Sequence, residues 1–207
     1  KVPIVGINMG SLGFLTENRV EELYRVMDMA LSGSMELRPR SMIQLKIKQG
    51  TTINKSMLAL NDIVVERGSR SHLIYVEVTC DGDPVKQLKA DGIIVSSPTG
   101  STAYNLAAGG PICHPDVSAF VVTPVCPHSL TNRPLIFPDN LKLTIRLKKG
   151  TQKASLTVDG KTVAEITDED QVIIEKHKQW HYVLKKPSHN YFNLLNKKLN
   201  FSQRSTD

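Results

Sequence analysis

From residue 43 onwards, the sequence is a succession of short strand patterns separated by turn residues. Apolar and polar residues alternate over 43–48, as they do in a strand with one buried face. Asp81-Gly82 and Asp159-Gly160 predict hairpin turns. Further strands are predicted at 57–65, 73–79, 93–95, 120–123, 141–147, 154–158, 172–175 and 181–184. The sequence therefore predicts a large, strand-rich β domain.

Helical patterns are confined to the two ends of the chain. A short buried strand is predicted at 3–8, and apolar residues fall at helical spacing over 20–31, before Gly33. A second amphipathic helix is predicted at 191–199. The predicted fold class is α/β plus all-β. It divides into an α/β part over 1–35, the β domain over 36–190, and a carboxyl-terminal helix and tail over 191–207.

The run from Asp91 to Ile112 contains the polar groups that are best suited to binding a ligand. It begins as a buried strand, breaks at Pro98-Thr99-Gly100, and continues as a small-residue segment that can form one or two helical turns. Such a strand–turn–helix start gathers backbone N–H groups and hydroxyls around one small volume. Tyr104 adds an aromatic face. This arrangement suits a ribose, a phosphate or an amide; the alternative is a polar strand-to-helix turn of the kind many α/β proteins contain.

Charge and cysteine content limit the partners of this chain. Its net charge of +6 arises entirely within residues 141–207, which contain 13 Lys/Arg and 7 Asp/Glu residues. These basic residues fall mostly on alternating strand positions, which favours a solvated sheet face over nucleic-acid binding. No apolar run approaches the roughly 20 residues that span a bilayer. Three widely spaced cysteines favour a cytoplasmic location and no structural zinc.

Five motifs, in order, resemble those of the NAD kinase family. They are Gly6–Thr16, Leu60–Val65, Asp91–Ile112, Cys126–Pro134 and Val158–Lys161. The resemblance implies an α/β half, of which residues 1–35 would be a remnant, followed by a strand-rich half. It also implies that NAD is phosphorylated on the 2′-hydroxyl of its adenosine ribose, with ATP or another phosphoryl donor, to give NADP.

The resemblance assigns the NAD site residue by residue. Asn61 and Asp62, which the strand pattern places within an apolar strand over 57–65, would bind the adenosine, and Asp91 the nicotinamide end. The sequence departs from the family at Ala107, usually Ser, and at Lys161, often Gln. The NAD-binding residues implied are Asn61, Asp62, Lys89, Asp91, Thr102, Ala103, Tyr104, Asn105, Leu106 and Ala107. Further candidates are Phe14, His72, Thr99 and Lys161.

The family's Gly-Gly-Asp-Gly motif, which carries the catalytic carboxylate, is not among these 207 residues. We therefore expect the catalytic residue to lie upstream of Lys1, and the chain alone to be inactive. The resemblance further implies Mg²⁺ or another divalent cation carried with ATP, no metal site in this chain, and a homodimer or homotetramer without nucleic-acid or membrane partners. The alternatives are a lipid kinase of the diacylglycerol or sphingosine type, and a non-catalytic NAD(P)-binding or nucleic-acid-binding module.

Overall fold

The computed structural model describes residues 2–10, 13–68, 72–150 and 153–200. The chain forms two compact units: residues 1–40 with 181–207, and residues 41–180. This grouping differs from the three-part division expected from the sequence, because residues 36–40 pair with residues 181–185 as neighbouring strands. In the described part of the chain, no helix is long and apolar enough to cross a membrane.

The larger unit contains two antiparallel six-stranded sheets. The first sheet has the order β11-β10-β9-β6-β13-β14, and the second has the order β5-β4-β15-β12-β7-β8. The strands are β4 (Ile43–Gln49), β5 (Thr52–Ala59), β6 (Asp62–Glu66), β7 (Ile74–Cys80), β8 (Asp83–Ala90), β9 (Gly92–Ser96), β10 (Ala119–Val125), β11 (Leu135–Pro138), β12 (Leu143–Leu147), β13 (Ala154–Val158), β14 (Lys161–Ile166) and β15 (Asp170–Lys176).

One apolar core lies between the two sheets. Ile63 and Val65 of the first sheet and Leu143 and Ile145 of the second are all fully buried in it. Because side chains alternate along a strand, the residues between them lie on the outer faces. The outer face of the first sheet therefore carries Asp62, Val64 and Glu66 of β6. The short helix α2 (Tyr104–Ala107) contacts β9 of the same sheet.

The prediction of one strand over 57–65 is wrong. The chain leaves the second sheet at Ala59 and enters the first at Asp62, so Leu60 and Asn61 form a crossing between the sheets. Both flanking segments are apolar strands, and periodicity cannot reveal the break. Side-chain contacts from residues distant in sequence hold the chain in this crossing. The two predicted hairpins are confirmed, with positive φ at Asp81 and Gly82 and at Asp159 and Gly160.

The smaller unit contains β1 (Ile7–Asn8) parallel to β2 (Asn18–Arg19), and β3 (Glu36–Arg40) antiparallel to β16 (His181–Lys185). The helix predicted at 20–31 is present, with a 3₁₀ turn at Val20–Glu22 followed by α1 (Leu23–Leu31). The helix α3 (Tyr191–Leu199) is also as predicted, and the Asn190 side chain caps it. The strand predicted at 3–8 is shorter, because Ile4 makes only an isolated bridge to Val183.

Candidate functional site

The Asp159 carboxylate fixes the crossing between the two sheets. Its Oδ2 accepts the backbone N–H of Leu60 at 2.8 Å, and its Oδ1 accepts those of Asn61 and Asp62 at 2.8 and 3.1 Å. The Asp159 N–H in turn donates to the Asp62 carbonyl at 3.0 Å. One side chain in the β13–β14 turn thus accepts hydrogen bonds from the backbone N–H groups of three consecutive residues. The position of Asp62 therefore depends on Asp159.

The turn after β9 is joined to the same crossing. The Ser97 N–H donates to the Asn61 carbonyl at 2.8 Å, and the Ser97 hydroxyl donates to the Leu60 carbonyl at 2.5 Å. A Cβ added to Gly100 would lie 2.1 Å from the Asn61 carbonyl oxygen. Only glycine permits this approach, so the crossing and the 3₁₀ turn Thr99–Thr102 form one closely packed assembly.

Asp62 is a buried carboxylate, and only 4% of its surface is exposed. Burial, with a smaller contribution from the negative charge of Asp159, raises the pKa of Asp62 to about 6. Across the described ranges, no hydrogen bond to its carboxylate is present. A buried charge without donors is unfavourable. Asp62 is therefore well suited to accept hydrogen bonds from a hydroxyl-bearing ligand.

Tyr104 lies within electrostatic range of both Asp62 and Asp91, which are at opposite ends of the β6–β9 pair. Burial raises the pKa of the Tyr104 phenol, and the charges of Glu66, Cys126, Asp91 and Asp62 add to this effect. Asp91 forms an ion pair with Arg67, with 2.7 Å between its Oδ1 and the arginine Nε. Tyr104 of one predicted motif is thus near Asp62 of another.

The remaining residues of the turn have different environments. Asn105 is fully buried and its amide donates to the Ser101 and Pro111 carbonyls, while the Thr123 hydroxyl donates to Asn105 Oδ1 at 2.6 Å. Its side chain therefore holds α2 on the sheet, and its amide group is hydrogen-bonded within the protein. Among the others, Ala103 and Ala107 are exposed, and Thr102, Leu106 and Asn61 are partly buried. The Thr99 hydroxyl is buried and has no hydrogen-bond partner in the described part of the chain.

The other predicted residues belong to other elements of the structure. Lys89 is on β8, in the second sheet, and its ammonium lies 5.0 Å from the centre of the Tyr75 ring. Phe14 belongs to the smaller unit. His72 and Lys161 are exposed, and Lys161 is the first residue of β14, directly after the Asp159-Gly160 turn. His128 and Arg133, whose roles the sequence left open, connect their loop to β8: the His128 N–H donates to the Lys89 carbonyl, and Lys86 Nζ donates to the Arg133 carbonyl.

Sequence reasoning missed the roles of Asp159, Ser97 and Gly100. Asp159 was assigned as a hairpin residue within the motif Val158–Lys161 and was given no role of its own, although an Asp carboxylate can also accept hydrogen bonds from nearby backbone N–H groups. The N–H groups that bind to it belong to residues 97 to 99 positions earlier in the chain, so no local pattern identifies them. Within the described residues, no group of three or more His, Cys, Asp or Glu side chains is arranged to hold a metal ion.

We expect Asp159→Ala to destabilise the protein more than Asp81→Ala does. Both residues occupy an Asp-Gly turn with positive φ, but Asp81 accepts one backbone N–H from Lys142 and Asp159 accepts three. Two additional hydrogen bonds correspond to about 1–3 kcal/mol. Urea unfolding of the two variants measures the difference. Equal losses in the free energy of unfolding would show that Asp159 does not fix the crossing.

Comparison with known proteins agrees with this architecture. Residues 60–185 match the family model of the ATP-NAD kinase C-terminal domain. The chain is 52% identical over 204 residues to the NAD kinase of Bdellovibrio bacteriovorus, covering 99% of this chain and 67% of that relative. It is 38% identical to the NAD kinase of Geotalea daltonii, covering 99% of this chain and 72% of the relative.

Two solved structures share the fold. Yeast NADH kinase complexed with NADH superposes with a TM-score of 0.91 at 30% identity, covering 99% of this chain and 61% of the yeast chain. An NAD kinase from Archaeoglobus fulgidus in complex with ATP gives a TM-score of 0.78 at 26% identity, covering 96% of this chain and 74% of the archaeal chain. The chain thus spans less than two thirds of the yeast structure. From its sequence motifs, its paired sheets and these relatives, the chain belongs to the NAD kinase family.

Proposed function

We propose that this protein takes part in phosphorylating the 2′-hydroxyl of the adenosine ribose of NAD to give NADP, and that this chain contains the NAD site. The observation that carries the proposal is Asp62, a buried carboxylate without a donor in the described residues. A carboxylate accepts two hydroxyl donors, which matches the two hydroxyls of a ribose. The yeast relative was solved with NADH and the archaeal one with ATP, which supports these ligand classes.

The proposed site consists of the crossing residue Asn61, Asp62 at the start of β6, the turn Thr99–Ala107, and Asp91. Asn61 and Asp62 bind the adenosine ribose, and Asp91 binds the nicotinamide amide, with Arg67 holding its carboxylate in place. Backbone groups of Thr102 to Tyr104 and the Tyr104 ring complete the contacts. Asn105 acts by holding α2 on the sheet, because its side chain is already hydrogen-bonded within the protein.

We assign phosphoryl transfer itself to groups outside these 207 residues. Transfer requires an acceptor for the hydroxyl proton and a metal-bridged polyphosphate. The Gly-Gly-Asp-Gly carboxylate of the family is not in this sequence, and the described residues do not form a set of metal ligands. Mg²⁺ would therefore arrive with ATP. On this proposal, residues 1–207 bind NAD or NADP weakly and produce no NADP by themselves.

A panel of ligands tests the proposal. Thermal unfolding of the purified chain should shift upwards with NAD, NADH or NADP, and it should not respond to lipid head groups. An NADP-formation assay with ATP and Mg²⁺ should give no product. A shift with a lipid head group alone would favour a lipid kinase relative. Binding of DNA that weakens with salt would favour a nucleic-acid module, and rapid NADP formation would show that the catalytic carboxylate is within the chain.

The affinity for NAD should fall as the pH is lowered through about 6. The ionised form of Asp62 accepts hydroxyl hydrogen bonds, whereas the protonated form loses most of this capacity. Because the pKa of Asp62 is raised to about 6, this loss occurs about two pH units above the range of an ordinary Asp. Isothermal titration calorimetry between pH 5 and 8 measures the effect. An affinity that stays constant from pH 8 to pH 5 would exclude Asp62 as the acceptor.

We also propose that the chain self-associates through surface contributed by residues after Ala119. β11 is an edge strand of the first sheet, and Leu130 and Ile136 are 89% and 57% exposed. Exposed apolar side chains beside an open strand edge favour association. Light scattering should give a mass at least twice 23.0 kDa at micromolar concentration, and Ile136→Lys should lower it. A soluble monomer of the unaltered chain would contradict this expectation.

A further inference from the structure

Two carboxylates lie on the outer face of β6, one at each end of the strand. Asp62 pairs with Ser96 of β9, and Glu66 pairs with Gly92, the residue directly after Asp91. The four-residue step between the two carboxylates corresponds to about 13 Å of strand. In the proposed site, Asp62 binds the adenosine ribose and Asp91 binds the nicotinamide amide. Glu66 therefore lies at the nicotinamide end of the same site.

Glu66 lies near the phenol of Tyr104 and remains accessible. Burial is the main cause of the raised pKa of Tyr104, and among the charged groups Glu66 contributes most to it. Gly92 leaves the neighbouring position on β9 without a side chain, and a Cβ there would lie 3.1 Å from the Glu66 Cβ. The Glu66 side chain is partly exposed. A ligand that lies beside Tyr104 can therefore come close to this carboxylate.

Glu66 differs from Asp91 in how its charge is compensated. Asp91 forms an ion pair with Arg67. No basic side chain of the described residues forms an ion pair with Glu66, whose Oε1 accepts a hydrogen bond from the Thr157 hydroxyl at 3.3 Å. A hydroxyl donor leaves the negative charge of a carboxylate in place. The nicotinamide end of the proposed site thus contains one negative charge that these neighbours do not neutralise.

The two redox forms of the dinucleotide differ in charge at this same end. The nicotinamide ring of the oxidised form, NAD, carries one positive charge, whereas the ring of NADH is neutral. The pyrophosphate and the adenosine are the same in both forms, so their contacts cancel when the two affinities are compared. A negative charge near the ring therefore favours NAD, because opposite charges attract and the attraction is absent in NADH.

We propose that Glu66 is a specificity-determining residue that selects the oxidised dinucleotide through the positive charge of its nicotinamide ring. This inference rests on the proposed function, in which the nicotinamide end of NAD lies at Asp91. All the residues involved belong to the unit of residues 41–180. The relatives include NAD kinases and a NADH kinase, so membership of the family leaves the redox form open.

Calorimetric titrations with NAD and with NADH measure the selection as the ratio of the two Kd values. The unaltered chain should bind NAD more tightly than NADH by roughly three- to thirty-fold. Glu66→Gln keeps the size of the side chain and removes its charge, so it should weaken NAD binding by about this factor and change NADH binding by less than about two-fold. A purely structural role would weaken both ligands equally.

Glu77→Gln is the matched control. Glu77 is a partly exposed Glu in β7 of the second sheet, and its Oε1 also accepts one side-chain hydrogen bond, from Gln87 Nε2 at 3.2 Å. This variant should leave both Kd values unchanged. The preference of the unaltered chain for NAD should also shrink between about 50 and 500 mM NaCl, because salt screens the attraction between partly exposed charges.

Thermal unfolding identifies whether Glu66→Gln is folded. If it is folded and keeps the original ratio of Kd values, the inference is overturned. If it does not fold, the salt series on the unaltered chain decides, and a preference that is independent of salt overturns the inference. Binding of NAD and NADH with equal affinity by the unaltered chain overturns the inference alone. If the unaltered chain binds neither dinucleotide, the proposed function fails and the inference fails with it.

Discussion

We expect Asp62→Asn to raise the stability of the protein at pH 7.5 and to weaken NAD binding at the same time. Burial and the nearby Asp159 charge raise the pKa of Asp62 from 3.8 to about 6. The folded protein therefore favours the protonated form, and this contribution to stability is complete below about pH 4 and is lost as the pH rises through about 6. A neutral amide avoids the buried charge, so the free energy of unfolding should increase by about 1–2 kcal/mol.

The loss of binding has a separate cause. An amide oxygen is a weaker acceptor than a carboxylate for ribose hydroxyls, and hydrogen bonds to charged groups contribute about 1.5–3 kcal/mol each. We therefore expect the Kd for NAD to rise by about 10- to 100-fold. Denaturant unfolding and calorimetry on the same preparation measure both effects. The stability gain should vanish at pH 4, where the unaltered Asp62 is protonated too.

Asp139→Asn is the matched control for this result. Asp139 is also a buried Asp of the larger unit, but its carboxylate lies 2.7 Å from Lys176 Nζ. Neutralising it leaves a lysine without its partner, so Asp139→Asn should lower stability and leave NAD binding unchanged. If Asp62→Asn were destabilising at pH 7.5, as Asp139→Asn is expected to be, the Asp62 carboxylate would have a favourable partner within the protein. The site as described would then be wrong.

We expect Gly100→Ala to remove NAD binding and to destabilise the protein by about 3 kcal/mol or more. The new methyl group would lie 2.1 Å from the Asn61 carbonyl oxygen and 2.5 Å from its carbonyl carbon. Both are backbone atoms held by Ser97 and Asp159, so neither can move without disturbing the crossing. The expected result is a lower midpoint of thermal unfolding and no heat of NAD binding.

Gly10→Ala is the control for the stability part of this prediction. A Cβ on Gly10 would meet no atom of the described residues within 4 Å, and Gly10 is not among the glycines with a positive φ in that part of the chain. The free energy of unfolding of this variant should remain within about 0.5 kcal/mol of the original. A Gly100→Ala protein that unfolds at the same temperature as Gly10→Ala would show that the crossing is not tightly packed against the turn.

Much of this fold follows from local sequence patterns. Alternating apolar residues predicted β4, β7, β12 and β13 close to their observed positions, and Asp-Gly pairs predicted both hairpins. Strands such as β8 and β11 were not predicted. β8 follows its hairpin with only Leu88 and Ala90 buried, and β11 is a mostly exposed edge strand, so neither shows a clear periodic pattern.

The candidate site depends on contacts that no local pattern contains. Asp62 was placed within a strand, because the residues on both sides of it are apolar. It is the first residue of β6, directly after the crossing between the sheets, and this break in the strand depends on Asp159 and Gly100, which lie 97 and 38 positions further along the chain. Asn105 shows the opposite case. Its motif suggested ligand contact, whereas its burial and hydrogen bonds assign it to holding α2.

The most direct test of the central claim is a map of the NAD-binding surface on the assigned backbone amides of the isotopically labelled chain. Adding NAD should shift the amide resonances of Asn61, Asp62, Gly100 and Thr102 to Tyr104, and Asp62→Asn should suppress these shifts. Resonances around Tyr75 and Lys148, on the second sheet, should not change. Saturable shifts at Tyr75 and Lys148, with none at Asn61, Asp62 or Gly100, would contradict the account.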